Sequence, residues 1–300
     1  MIAGLTLLAL AGSIAACGPV AVEALEELAV RVVGGGHLYW SDGASGWTEI
    51  PLSLRLRRHW GPSDVVIEPR YTAVAEGLDI AEITMLRPPD PRGVEVVVAR
   101  IDPAHWQFRA WGRDDWSRAP VAALAEEAGL SLAVNGPYFA EDGPLGLVVS
   151  DGVVRNRQSP RRASHFLVEK AGGRPRILNQ KKARLGPLDQ GIQGFPSIMS
   201  GGKTFTYLRT GGLGVDADAV ARRTAACIDR DDRVILLVTD DWTAGLSLAD
   251  LATLLGGLGC IDAMAFDGGG STAMSMSVGE YRRDVGGFDA VPVVVGIAPR

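Results

Sequence analysis

Histidine is scarce in this chain, and the chemistry narrows accordingly. Four histidines occur among 300 residues (His37, His59, His105, His165), and none is paired at metal-ligand spacing, which disfavours a zinc hydrolase. No Gly-x-Ser-x-Gly elbow occurs, which disfavours a serine esterase. A large charge of one sign is also missing. The net charge is −5, too small to point to nucleic acid or to electrostatic adhesion on a membrane. No internal repeat and no low-complexity segment is visible. Cysteine is limited to Cys17, Cys227 and Cys260.

Hydrophobic residues make up 47% and charged residues 22%, the usual balance of a globular protein with room for a substantial core. The 38 glycines argue for a turn-rich fold with many strands. Charge is uneven along the chain. Between Arg155 and Arg184, ten Lys/Arg face the single acid Glu169. Such a run reads as a solvated hairpin edge or as a rim that attracts an anionic polymer or phosphodiester.

Met1 to Ala16 carries no charge. It is shorter than the about 20 apolar residues of a spanning helix and suits the apolar region of an export signal, although no Lys or Arg precedes it. Ile14-Ala15-Ala16-Cys17 resembles a bacterial lipobox, which implies an acylated Cys17, membrane attachment through a lipid anchor and an extracytoplasmic location. A buried N-terminal helix is the other reading. Cys227 and Cys260 then remain, either as separate buried thiols, the reading preferred here, or as a disulfide.

Three segments follow: a signal at 1–17, a tether and peripheral segment at 18–69, and one main domain at 70–300. Val20 to Val33 has a weak helical pattern, and Trp40, Trp47 and Trp60 sit among turn residues, as surface-packed rings would. Val94–Ile101 reads as a strand with Trp106–Trp111 as its partner. Pro120 starts a helix that Gly129 stops, and Leu130–Val134 is a short buried strand. Asp151-Gly152 and Arg230-Asp231-Asp232 turn two hairpins, while Ser247 caps a helix closed by Gly259. Asp262–Phe266 is a further strand. Hairpins outnumber crossovers, so the expected class is α+β with mixed or largely antiparallel sheets and a few packed helices.

The strongest chemical signal is Asp267-Gly268-Gly269-Gly270-Ser271-Thr272 after that last strand. No lysine follows, so it is not a Walker A loop. Its glycine amides could form an anion-binding nest beside a carboxylate fit for acid, base or nucleophilic work. Asn135-Gly136-Pro137-Tyr138-Phe139 ends another buried strand, followed by Pro144-Leu145-Gly146-Leu147. Gln193-Gly194-Phe195-Pro196, Arg223-Thr224-Ala225 and the strand end at Asp240 complete the set.

In this order the segments resemble the phosphodiester glycosidase family, from about Arg70 to the C-terminus. The resemblance implies hydrolysis of a glycosyl-1-phosphate diester in envelope or extracellular polysaccharide. The alternative is a non-catalytic glycan-binding lipoprotein of exopolysaccharide assembly. It further implies Asp267, Asp240 and Arg223 as catalytic residues, with Asp240 the second carboxylate and Arg223 facing the phosphate. Asn135, Gly136, Gly146, Gln193, Gly268, Gly269, Gly270, Ser271 and Thr272 would bind substrate. No cofactor is expected, and a divalent cation on Asp240, Asp241 and Asp267 has no spacing signature behind it. Departures from the family pattern are Ala265 in place of Asn, Asp241 in place of Gly, and Pro137 in place of a small residue.

Overall fold

The computed structural model describes residues 38–44, 46–50, 67–86, 93–159, 165–170, 173–180, 187–205 and 219–300. The expected signal with Cys17, the Val20–Val33 pattern, Trp60 and much of the basic run lie outside these residues.

Strand pairing is antiparallel throughout the described residues, and two helices accompany it: Val121–Glu127 and Leu248–Gly257. The fold is therefore β-rich, not a balanced α+β. The largest sheet runs, from edge to edge, Lys203–Thr204, Ser197–Ser200, Cys260–Ala265, Thr224–Asp229, Val234–Thr239, Gly93–Ile101, Leu78–Leu86, Leu38–Ser41 and Thr48–Ile50, with Thr72–Ala75 also on Leu78–Leu86. A second sheet orders Tyr281–Val285, Met274–Val278, Leu132–Asn135, Val294–Pro299 and Trp106–Trp111. A third orders Val153–Asn156, Val148–Ser150, Gln190–Gly194, His165–Glu169 and Arg176–Asn179.

Alternation along the central strands explains the layering. On Gly93–Ile101, Val97 and Ala99 join one cluster, with Phe108, Leu132, Val134, Ile192 and Val295 of the other two sheets. Val96 and Val98 point the opposite way, towards Leu251, Leu254 and Leu255 of the second helix. A strand with period two and apolar residues at both phases is buried on both faces. The first helix covers the outer face of the second sheet through Val121, Leu124 and Ala125 against Ala133 and Val294.

Local signals place the elements. Ser247 accepts from the Asp250 amide while the Asp250 carboxylate accepts from the Ser247 amide, a reciprocal cap that starts the second helix. Asp151 and Gly152 both have positive φ, which suits a tight hairpin between Val148–Ser150 and Val153–Asn156.

Two expectations need correction. Trp106–Trp111 pairs with Val294–Pro299, while Gly93–Ile101 pairs with Leu78–Leu86 and Val234–Thr239. Sequence proximity favours the nearest strand, but Val294–Pro299 lies between Leu132–Asn135 and Trp106–Trp111 in the second sheet, a long-range pairing that spacing does not reveal. Trp40 is in the core, 7% exposed, because Leu38–Ser41 pairs with Leu78–Leu86 at the edge of the large sheet.

Cys227 and Cys260 form a disulfide, with Cα atoms 5.8 Å apart on neighbouring strands of the large sheet, in place of the two thiols preferred from sequence. Closing a loop over a separation of 33 residues stabilises by about 3–4 kcal/mol in the chain-entropy account. Reduction, or Cys260→Ala, is expected to lower the melting temperature by roughly 10 °C. Scanning calorimetry with and without reductant checks this, and equal melting curves would count against it.

Candidate active site

Register brings the motifs together. Thr224–Asp229 lies between Cys260–Ala265 and Val234–Thr239, with Ala225 opposite Ala265 and Thr224 opposite Val238. Antiparallel order thus puts Arg222 and Arg223, Asp267 and Asp240 at one end of the large sheet. In the second sheet Asn135 faces Val294, and Val134 faces Met274. That end of the second sheet abuts the same corner.

Asn135 joins the two sheets. It is fully buried, and its side-chain oxygen accepts from Thr224 Oγ1 at 2.6 Å and from the Ala273 amide at 3.1 Å. Its Nδ2 donates to the Asp267 carbonyl at 2.8 Å. The Asp267 amide in turn donates to the Gly136 carbonyl at 3.1 Å. Asn135, expected to bind substrate, therefore positions the backbone of Asp267, and its oxygen is occupied by protein donors. Gly136 is similarly enclosed: an added Cβ would meet the Val293 carbonyl at 2.9 Å.

Asp267 is half-buried, and its Oδ1 accepts from the Gly268 amide at 2.9 Å. Burial pushes its carboxyl above the usual Asp range. Hydrogen bonds from Ser271 and Gly268 oppose this, while the nearby charge of Asp289 adds to it. Gly269, with φ +60°, lets the turn double back, and its amide donates to the Arg222 carbonyl at 2.9 Å. Two of the three glycine amides expected to hold an anion are thus committed inside the turn. Ser271 is buried, with its Oγ 3.5 Å from Asp289 Oδ2. Thr272 is buried, and its hydroxyl has no partner among the described residues.

Arg223 is 8% exposed and is held by the carbonyls of Leu246 (2.8 Å) and Ala219 (2.5 Å). Burial lowers its pKa, partly offset by Tyr138, so Arg223 and the Asn135-Gly136-Pro137-Tyr138 turn share one corner. Its Cδ lies 3.9 Å from the Cβ position of Gly268. Asp229, at the far end of the adjoining strand, pairs instead with Arg100 at 3.0 Å. The Tyr138 ring meets Phe195 edge-on at 6.2 Å, which brings in the Gln193-Gly194-Phe195-Pro196 segment. Gln193 is 2% exposed: its Oε1 accepts from Leu147 and Ser159, and its Nε2 donates to the Ser159 carbonyl. Gly146, with φ +155°, leaves the space that Gln193 fills. Both are braces in this arrangement.

Asp240, expected as the second carboxylate, has an ion-pair partner of its own. It is tied to Arg283 at 2.8 Å, and Arg283 also holds Glu82 at 2.7 Å. Asp241 Oδ1 accepts from the Thr243 and Ala244 amides. No group of three His, Cys, Asp or Glu among the described residues is arranged to hold a metal ion.

Three contributors escaped the sequence reading. Asp289 is the carboxylate whose charge acts on Asp267. Its amide and that of Phe288 donate to the Gly270 carbonyl at 3.1 and 2.7 Å. Arg222 packs its backbone on the glycine turn, and Trp242 covers its guanidinium. The doublet Gly286-Gly287 before Phe288-Asp289 is the sequence signal that this loop approaches another backbone closely: the Cβ position of Gly287 lies 3.1 Å from the Gly270 carbonyl.

Asn135→Ala would leave the Thr224 hydroxyl, the Ala273 amide and the Asp267 carbonyl without this partner, a cost of roughly 3 kcal/mol or more. Denaturant unfolding should show the loss as a lower midpoint with an unchanged slope. A variant as stable as the parent would mean the brace is dispensable.

Comparison with known proteins places this corner. Over 79% of this chain and 89% of the other, the fold resembles the catalytic domain of zebrafish N-acetylglucosamine-1-phosphodiester alpha-N-acetylglucosaminidase, auto-inhibited by its pro-peptide, with a TM-score of 0.60 and 21% identity. A hypothetical protein from Synechocystis matches with a TM-score of 0.59 and 16% identity over 78% of this chain. The match covers 64% of that protein, so the chain spans less than two thirds of its length. A putative exported protein of Burkholderia pseudomallei K96243 matches with a TM-score of 0.52 and 16% identity, over 69% of this chain and 74% of the other. No curated protein matches the sequence. The sequence profile of the phosphodiester glycosidases matches residues 128–298, which include Asn135, Arg223, Asp267 and Asp289: the chain belongs to the phosphodiester glycosidase family.

Proposed function

We propose that the chain is an exported hydrolase that cleaves the glycosidic C–O bond of a glycosyl-1-phosphate diester in envelope or extracellular polysaccharide. The observation that carries this reading is Asp267, a half-buried carboxyl above its usual pKa, in a glycine turn packed against two arginines and near a second carboxylate. The departing group is a phosphate, already stable as an anion, so it needs a fixed positive charge more than a strong acid. Water must lose a proton as it adds to the anomeric carbon. A carboxylate of raised basicity suits that task, and Asp289 would stabilise the oxocarbenium-like transition state beside it. Arg222 and Arg223 supply the positive charge.

Asp267→Asn is expected to lower kcat on such a diester at least ~100-fold while substrate affinity stays within a few-fold. Because the base must be ionised, kcat/KM should fall as pH drops through the Asp267 pKa. That acid limb should lie above the ordinary carboxylate range. Release of no sugar from any glycosyl-1-phosphate diester by the wild type would end the catalytic reading.

Export and anchoring belong to the same proposal. Two features support them, the disulfide, which suits an oxidising compartment, and the lipobox-like Ile14-Ala15-Ala16-Cys17. Cys17→Ala should move the protein from the membrane fraction to the soluble one. Unchanged partitioning would remove the anchor.

A further inference from the structure

Beside the glycine turn, two large aromatic side chains stand in solvent. Trp242 is 47% exposed and Phe288 is 74% exposed, and their ring centroids are 3.7 Å apart at an interplanar angle of 65°. Neither belongs to the motifs that carry the family resemblance. Trp242 follows the Val234–Thr239 strand in a turn fixed by Asp241, and Phe288 sits in the loop fastened to the Gly270 carbonyl. Exposed aromatic rings cost solvation, and set edge to face they form an angled apolar corner with the indole N–H at hand, the sort of surface that ligand sites use.

Under Trp242 lies a cation without a matching anion. The Arg222 guanidinium carbon is 4.0 Å from the indole centroid, and the residue is 6% exposed. Nη2 donates to the Gly286 carbonyl at 2.9 Å and lies 3.5 Å from that of Thr239. Nε and Nη1 are buried with no hydrogen-bond partner among the described residues. Asp240 and Asp241 act on Arg222 through space, but Asp240 is ion-paired to Arg283 and Asp241 accepts the amides of its own turn. A buried guanidinium with two idle donors is costly unless something arrives to accept from them. The cation–π contact alone does not satisfy those N–H groups.

We propose that Arg222, Trp242 and Phe288 form a binding subsite for the substrate, the phosphate on the Arg222 guanidinium and an adjoining sugar ring on the Trp242–Phe288 surface. Trp242 must swing off the guanidinium as the anion enters, because Nε and Nη1 are closed to solvent in the present arrangement. Trp242 is 47% exposed, and at Gly286, whose Cβ position lies 3.7 Å from the indole, it borders a residue without a side chain. The subsite is continuous with the proposed reacting centre, since the Arg222 carbonyl accepts from Gly269 and the Phe288 amide donates to Gly270. It takes its substrate class from the hydrolase reading, while its binding role stands on these three side chains.

The test is calorimetric titration of the full chain with glucose 1-phosphate, with inorganic phosphate and with glucose. Arg222→Gln should weaken glucose 1-phosphate and inorganic phosphate at least ~10-fold, the size of a lost charge-assisted contact. Trp242→Ala should weaken glucose 1-phosphate several-fold and leave inorganic phosphate within about twofold. Arg222→Lys should recover part of the phosphate affinity. Because Trp242 is exposed, its replacement empties no core and keeps the test decisive should Arg222→Gln fold poorly. Wild type that binds neither anion overturns the subsite, as do variants that bind glucose 1-phosphate as tightly as wild type. Binding is read without turnover, so the two readings separate. A chain that binds in this pattern but releases no sugar keeps the subsite and loses the hydrolase. A chain that hydrolyses diesters with the same KM after Arg222→Gln keeps the hydrolase and loses the subsite.

Discussion

One buried amide holds the corner on which everything else depends. Asn135 accepts from Thr224 and Ala273 and donates to the Asp267 carbonyl, so a single side chain fixes three segments from two sheets. In a dry interior each of these bonds is stronger than in water, and each partner would be expensive to leave unpaired. The carboxyl of Asp267 then projects from a backbone that cannot drift. Rigidity of this kind matters where reacting atoms must meet within a fraction of an ångström. Gln193 repeats the device one segment away, gripping Leu147 and Ser159 with an equally buried amide.

Electrostatics at this corner works through asymmetry. Burial raises the Asp267 carboxyl and lowers both arginines, so each group's charged form is penalised before any ligand arrives. The arginines nevertheless remain cations at any physiological pH, because guanidinium gives up its proton so reluctantly. An anionic substrate would relieve the cost on the arginine side. On the acid side, burial first and the nearby charge of Asp289 after it raise Asp267. The distribution favours a bound phosphate beside a proton acceptor. Asp240 acts on Arg222 through space while it is ion-paired to Arg283.

Much of this was legible in the sequence because local chemistry determined it. The Ser247 cap, the Asp151-Gly152 turn and the 224–239 hairpin all follow from neighbouring residues. The meeting of Asn135, Arg223 and Asp267 was legible only through the order of motifs, since sequence spacing contains no distance. What was lost depended on long-range pairing. Trp106–Trp111 chose the C-terminal strand over its sequence neighbour, and Trp40 entered the core because a remote strand covers it. Roles went astray for the same reason. Polar residues in a motif look alike whether they face a ligand or a carbonyl, and Asn135 and Gln193 proved to face the protein. Arg222 was overshadowed by Arg223 because nothing in adjacent arginines reveals which one has its donors satisfied.

That last distinction gives the two arginines different work. Arg223 is clamped by the carbonyls of Leu246 and Ala219 and cannot reorient without breaking both. It supplies fixed charge, and preorganised charge stabilises a transition state without a reorganisation cost. Arg222 has two idle donors and an indole over its guanidinium, so in the proposed subsite contact with an anion must await a change in Trp242. One cation is thus locked by the protein and the other is covered but unsatisfied, a division of work that the proposed subsite uses. The loop bearing Phe288 and Asp289 borders the glycine turn, since its two amides are fastened to the Gly270 carbonyl. That loop meets Trp242 through the Phe288 ring and the glycine turn through the Gly270 carbonyl, so the aromatic pair and the turn that bears Asp267 share one support.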